Sequence, residues 1–147
     1  MPIDTFKTMD VIGSALAAEK TRLNAISSNL ANANTTRSAD GSGPYKRKDV
    51  ILESAPMQGE FGEILDQRQN THNEVRVAEI LEDQSPARRA YEPNHPDADA
   101  QGYVSYPNIN PEAELANRIS AERAFENNVN LFQTTKQMAM KALEIGK

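Results

Sequence analysis

The sequence predicts a mainly α fold with a small β-rich insert. Long N- and C-terminal helices are expected to pack as a coiled-coil-like core in a helical assembly. Three observations carry this. The last third of the chain holds no Pro or Gly between Pro111 and Ile145. The first third carries apolar residues at three- and four-residue steps over nearly four heptads. The middle is rich in breakers and short strand-like runs. The expected division is residues 1–36 for the N-terminal helix, 37–107 for the β-rich insert and extended connector, and 108–147 for the C-terminal helix.

In the first helix, spanning Thr5 to Ala33, Met9, Ile12, Leu16, Leu23, Ile26, Leu30 and Ala33 form a seam in which seven of eight positions are apolar, Glu19 being the exception. An ordinary bundle helix and a coiled-coil helix fit this seam equally well. Such a helix is not stable alone, because a single apolar seam does not offset the entropy of ordering so many residues. Both termini are therefore expected to be loose in the free subunit and to become ordered by packing between subunits. Asn29 and Asn32, three apart on one face, close the helix. Asn can cap there, or fix register in a crowded helix interface.

Ser38 to Pro44 reads as a turn, and Tyr45 to Glu53 as a strand with Val50, Ile51 and Leu52 its most buried part. The basic run Lys46-Arg47-Lys48 reads as a solvated strand edge. Pro56 to Gly62 reads as a loop, Phe61, Ile64 and Leu65 as a small apolar cluster, and Asp66 to Asn73 as a polar loop. Glu74 to Glu82 is a strand with Val75, Val77 and Leu81 on one side, and Arg88 to Glu92 a short return strand. Pro93 to Asn110 is expected to be an extended, turn-rich connector.

The C-terminal helix starts at a strong signal. Asn110 suits the N-cap, Pro111 the first helical position, and Glu112 and Glu114 the positive end of the dipole. Leu115, Phe125, Val129, Phe132, Ala139 and Leu143 step along it, with Ile119 and Met140 one position over.

Composition narrows the function. The chain has 38% hydrophobic and 5% aromatic residues and no Trp, lean for a compact globule of 147 residues. A net charge of −5 gives no footprint for nucleic acid or an anionic membrane. The absence of Cys excludes disulfides and thiol chemistry. No run is apolar enough for a transmembrane segment, and no secretory signal opens the chain. Read alone, that points to the cytoplasm, while export through an uncleaved, unfolded N-terminus stays open. His95, Asp97 and Asp99 are the one cluster resembling metal ligands, a weak set that reads as a solvated loop, so no metal or cofactor is expected. No phosphate loop, dinucleotide fingerprint or nucleophile elbow is present. Three readings remain: a structural assembly subunit, a soluble coiled-coil adaptor or export chaperone, and a cell-wall hydrolase using residues such as Glu79 or Asp97.

The stretch from Ser28 to Thr36 (SNLANANTT) resembles the N-terminal signature of the bacterial flagellar axial proteins of the rod and hook. Pro107 to Pro111 (PNINP) and Ala121 to Val129 (AERAFENNV) resemble the matching C-terminal motif, with Phe125 where Tyr is more usual. Gly43 to Val50 and Asn94 to Val104 are similar to the proximal rod proteins of that family. The resemblance covers nearly the whole chain, least well from Pro56 to Asn73. It implies a non-enzymatic structural subunit of the flagellar basal-body rod, the drive shaft joining the membrane ring to the hook. It also implies export without a cleaved signal, assembly in the periplasm, and no cofactor. The implied partners are other copies of itself, related rod proteins, and the membrane-ring and export-gate end of the basal body. Under that reading the subunit-packing residues are Met9, Ile12, Leu16, Leu23, Ile26, Leu30, Leu115, Ile119, Phe125, Val129, Phe132 and Leu143. Asn29, Asn32 and Asn128 set register by hydrogen bonding.

Overall fold

The computed structural model describes residues 2–38, 41, 43–56 and 73–145. The chain is mainly α: two long terminal helices, α1 (Pro2–Ala31) and α2 (Pro111–Ile145), pack together, with a small β region between them in sequence. The expected loop from Pro56, the cluster of Phe61, Ile64 and Leu65, and the polar loop to His72 lie outside the described residues, apart from Pro56 itself, which ends a strand.

Each helix has local reasons for its ends. Asn110 caps α2, its Oδ1 accepting the amides of Glu112 at 3.0 Å and Ala113 at 3.4 Å. At the end of α1, the Asn32 side chain donates to the Ser28 carbonyl at 2.9 Å and accepts from Thr35 Oγ1 at 3.1 Å. The Ser28 carbonyl also accepts the Asn32 amide at 3.0 Å, so the side chain adds a second bond at the helix end.

The strands are β1 (Lys48–Pro56), β2 (Asn73–Glu82), β3 (Arg88–Tyr91) and β4 (Tyr103–Tyr106). They form two separate two-stranded sheets, β1 with β2 and β3 with β4. The second is antiparallel, with Arg88 opposite Tyr106 and Tyr91 opposite Tyr103. β4 lies within the extended, turn-rich stretch expected from Pro93 to Asn110. Its residues are extended as foreseen, but they pair with β3 and bury Val104 completely.

Two compact units divide the chain, each assembled from segments distant in sequence. Unit 1 comprises Met1–Thr21, Ile51–Glu79 and Ala121–Lys147; unit 2 comprises Arg22–Val50 and Ile80–Ser120. In unit 1 the buried apolar residues are Ile12, Ala18, Ala55 and Ala121, and Ser14 Oγ accepts the Val75 amide at 3.1 Å. In unit 2 they are Ala25, Ile26, Ala33 and Val104. Among the described residues, five of these eight buried apolar side chains are alanines. Of the three largest fully buried side chains, Glu114, Val104 and Asn29, two are polar.

The buried arc of α1 takes in Ile12 and Ile26 of the apolar seam and extends beyond it to small and polar residues. At about 100° per residue, Ala18, Ala25 and Asn29 form the buried row of α1, and Glu114 and Ala121 that of α2. The apolar seam of α1 lies beside this row. Ile12 and Ile26 are buried, whereas Met9, Leu16, Leu23 and Leu30 are only half-buried.

Candidate functional site

The polar core of unit 2 begins with Asn29, an amide side chain wholly removed from solvent. Its Nδ2 donates to the Lys48 carbonyl at 2.8 Å and to Glu114 Oε2 at 3.3 Å. Its Oδ1 accepts the Lys48 amide at 2.8 Å and the Tyr45 hydroxyl at 3.2 Å. Two donors and two acceptances exhaust what an amide side chain can make. Towards Lys48, Asn29 behaves as a peptide group does towards a neighbouring strand. A single α1 residue thereby positions the start of β1.

Glu114 is 2% exposed and receives a second donor, Arg47 Nε, at 2.7 Å. A buried carboxylate is costly unless paired and hydrogen-bonded; here one oxygen faces a guanidinium and the other an amide. The hydrogen bond to Glu114, with the attraction of the same carboxylate, raises the Arg47 pKa above its ordinary value. Burial pushes the Tyr45 hydroxyl up as well, helped by the Glu82 and Glu114 carboxylates. The reading of Lys46-Arg47-Lys48 as a solvated edge therefore holds for the exposed lysines and fails for Arg47, which is tied into the core.

A second set of contacts fixes the loop after α1. Thr36 Oγ1 donates to Asp97 Oδ2 at 2.8 Å, and Arg37 pairs with the other oxygen. The Thr36 hydrogen bond, with Arg37 and His95 nearby, lowers the Asp97 pKa. Asp99 accepts the amides of Gln101 and Tyr103 and pairs with Arg89, and its pKa is lowered by those bonds, the Tyr103 amide first. Both carboxylates are thus occupied in shaping the 95–103 turn. Among the described residues no group of three or more His, Asp or Glu could hold a metal. Gly102 completes the turn at φ +82°, where a Cβ would come within 2.9 Å of the Tyr91 ring.

The residues expected to pack between subunits fall into two sets. Ile12 and Ile26 are buried within the chain, and Met9, Leu16, Leu23, Leu30, Phe125, Val129 and Phe132 are half-buried. Leu115, Ile119 and Leu143 are exposed, as are Leu131, Met138 and Met140 on the same helix. Of the three asparagines, Asn29 bridges α1, β1 and α2 within the chain, Asn32 caps α1, and Asn128 is half-buried. Sequence reasoning missed Glu114 and Arg47 as a pair. They lie 67 positions apart, and each had a sufficient local explanation.

A thin alanine-rich core, a polar bracket joining the two helix ends, and large apolar residues left on the outside define a structural subunit built for assembly. The comparisons agree. Residues 100–145 match the family described as Flagellar basal body rod FlgEFG protein C-terminal, and residues 9–37 match Flagella basal body rod protein. The chain is 44% identical to the flagellar basal-body rod protein FlgC of Bacillus subtilis, over 97% of this chain and 98% of that protein. Against FlgC of Salmonella typhimurium the identity is 40% (94% and 95% covered), and against FlgC of Borreliella burgdorferi 38% (95% and 96%). The chain belongs to the FlgC family of flagellar basal-body rod proteins, which are structural and non-enzymatic. Four of the five motifs that carry this kinship in the sequence meet in unit 2, and the fifth, Ala121–Val129, lies in unit 1. The Ser28–Thr36 stretch contacts Gly43–Val50 through Asn29 and Lys48, and Asn94–Val104 through Thr36 and Asp97. Asn110, in the motif from Pro107 to Pro111, caps the helix that carries Glu114. No helix among the described residues is long and apolar enough to cross a membrane.

Proposed function

We propose that this rod subunit transmits motor torque towards the hook through side-by-side packing of its terminal helices with those of neighbouring rod proteins. In this reading residues 1–36 and 108–147 build the axial core, and residues 37–107 lie outside it and brace neighbours. The subunit reaches the periplasm unfolded, without a cleaved signal, and the parts of its terminal helices beyond the Asn29–Glu114 bracket order only on assembly. Its partners are other copies of itself, related rod proteins, and the membrane-ring and export-gate end of the basal body. The packing residues left exposed or half-buried between Met9 and Leu143 supply the lateral contacts and Asn128 fixes the register between subunits, while Ile12, Ile26, Asn29 and Asn32 hold the subunit's own geometry.

One observation carries this reading: the apolar surface left on the helices. Leu115, Ile119, Leu131, Met138, Met140 and Leu143 of α2 are each 44–66% exposed. Covering the remainder of such side chains stabilises by about 1 kcal/mol each, a gain open only to an assembled chain. The test is Leu23→Asp, at a half-buried seam position. The variant is expected to express normally and to be absent from purified basal bodies, with cells non-motile. Normal incorporation would remove the seam from the explanation. Circular dichroism of the dilute wild-type subunit separates a rod subunit, incompletely helical when free, from a soluble adaptor, which is a cooperative, highly helical dimer.

A further inference from the structure

A cleft of about 250 Å³ opens in unit 2 between α1, the start of β1 and α2. Arg22 of α1, Arg47, Lys48 and Asp49 around the start of β1, and Asn117 of α2 line it. Pockets for small molecules run from roughly 300 to 1,000 Å³, so this one suits a single side-chain head. Three cations face one anion there, in a chain with 21 acidic and 16 basic residues. The Asp49 side chain is 60% exposed, where water screens its charge.

The donors on its wall differ in what they already hold. Arg22 makes contacts of its own within the chain. Arg47 gives Nε to Glu114 at 2.7 Å, which fixes the guanidinium in place. Its Nη1 lies 3.6 Å from Asp49, beyond hydrogen-bond range, so neither Nη group has a hydrogen bond among the described residues. Lys48 is exposed, and its Nζ stands over the Tyr45 ring, 6.0 Å from the centroid, with no carboxylate paired to it among the described residues. Asn29 holds the Lys48 amide and carbonyl, so the ammonium springs from a fixed backbone. The Asn117 side chain is half-buried and makes no hydrogen bond among the described residues. An ammonium, a guanidinium edge and an amide together are a donor set for an oxyanion. We infer that the cleft receives a carboxylate side chain from a neighbouring rod subunit, with Lys48, Arg47 and Asn117 as its donors. Charge complementarity selects that occupant. A subunit with a net charge of −5 has carboxylates in excess to offer at an interface, and a positive cleft draws them in.

This rests on the rod-subunit reading, and the experiments separate the two. Lys48→Gln, Lys48→Arg and Lys46→Gln are introduced into the full chain in cells, and basal bodies are purified. Incorporation of Lys48→Gln is expected to fall by about tenfold, the loss of one charge-assisted hydrogen bond, while Lys48→Arg stays near the wild type. Lys46, bonded to Gln84 and outside this cleft, is the control, and Lys46→Gln is expected to incorporate normally. Asn117→Asp breaks no bond among the described residues and sets an anion in the cleft, so its incorporation is expected to fall as well. Thermal unfolding of the free Lys48→Gln subunit is expected to match the wild type, since Asn29 grips the Lys48 backbone and not its side chain. A water-soluble carbodiimide joins an ammonium to a carboxylate in contact with it, as an amide, so wild-type basal bodies treated with it report the contact directly. Mass spectrometry is expected to find Lys48 cross-linked to an Asp or Glu of another chain. Wild-type incorporation of Lys48→Gln, an equal loss in Lys46→Gln, or no such cross-link at Lys48 overturns the carboxylate and leaves the rod reading standing. Inorganic phosphate that shifts the Asn117 side-chain NMR signal of the free subunit, with no cross-link at Lys48, makes the occupant a free anion and overturns the neighbour's carboxylate. Absence of the wild-type chain itself from basal bodies overturns both.

Discussion

Replacing Asn29 by Ala removes a wholly buried side chain and its four hydrogen bonds, three of them to part-buried partners. The Tyr45 hydroxyl is half-buried and can turn to water, and Glu114 keeps Arg47. The Lys48 amide and carbonyl lose their partner outright. An unsatisfied buried polar group costs about 1–3 kcal/mol, so two of them with partial relaxation give about 3–5 kcal/mol. For a chain of this length that corresponds to a fall in Tm of about 10 °C or more. Thermal unfolding followed by circular dichroism gives the overall loss. Amide exchange at Lys48 gives the local one, an expected fall in protection of about a hundredfold or more. Asn29→Asp keeps the shape, removes both donors and sets an anion against Glu114 and the Lys48 carbonyl, so it is expected to be at least as harmful. The reasoning is refuted if Asn29→Ala stays within about 1 kcal/mol of the wild type with the Lys48 amide still protected.

Glu114→Gln removes the nearer and more buried of Arg47's carboxylate partners, leaving Asp49 at 3.6 Å, and is expected to cost about 1–3 kcal/mol. A double-mutant cycle with Arg47→Met should show coupling above about 1 kcal/mol, and additive losses would contradict the pair. Gly102→Ala forces a left-handed backbone on a side chain that meets the Tyr91 ring at 2.9 Å and Pro93 at 3.2 Å. A loss of about 2–4 kcal/mol is expected, only partly recovered by Tyr91→Ala, which relieves the contact and not the backbone. Asp97 and Asp99 titrate lower in the folded chain than in the unfolded one. Their contribution is therefore complete above the ordinary Asp range near pH 4 and is lost as the pH falls through the depressed values. Acid titration of folded-state signals from the 95–103 turn should show this loss, and Asp97→Asn should remove its share; an unchanged acid profile in that variant would count against it.

Both helices were legible because their signals are local. Asn110-Pro111-Glu112 marks the start of α2, and an unbroken run to Ile145 carries it on. The strand β4 was hidden because Tyr103–Tyr106 sits between Pro96 and Pro107, and its partner β3 lies across a turn built by Asp99 and Gly102. The inward faces were hidden for a different reason. Heptad reading follows large apolar side chains, so it finds Ile12 and Ile26 among the residues α1 buries but not Ala18 and Ala25. Small residues bury easily and leave little trace in a hydrophobic pattern. The Arg47–Glu114 pair had no local signature at all, since an acid in a first helical turn and a base in a strand edge are both ordinary.

A shaft is loaded along directions in which greasy surfaces tend to slip. Leucine against leucine gives way gradually, each small displacement exchanging one contact for a similar one. The Asn29 amide has no such neighbouring setting: moved by one residue, it loses the Lys48 peptide, Tyr45 and Glu114 at once. The junction it forms is therefore stiff up to a threshold and then lets go as a whole, so strain accumulated elsewhere in the subunit does not creep through it.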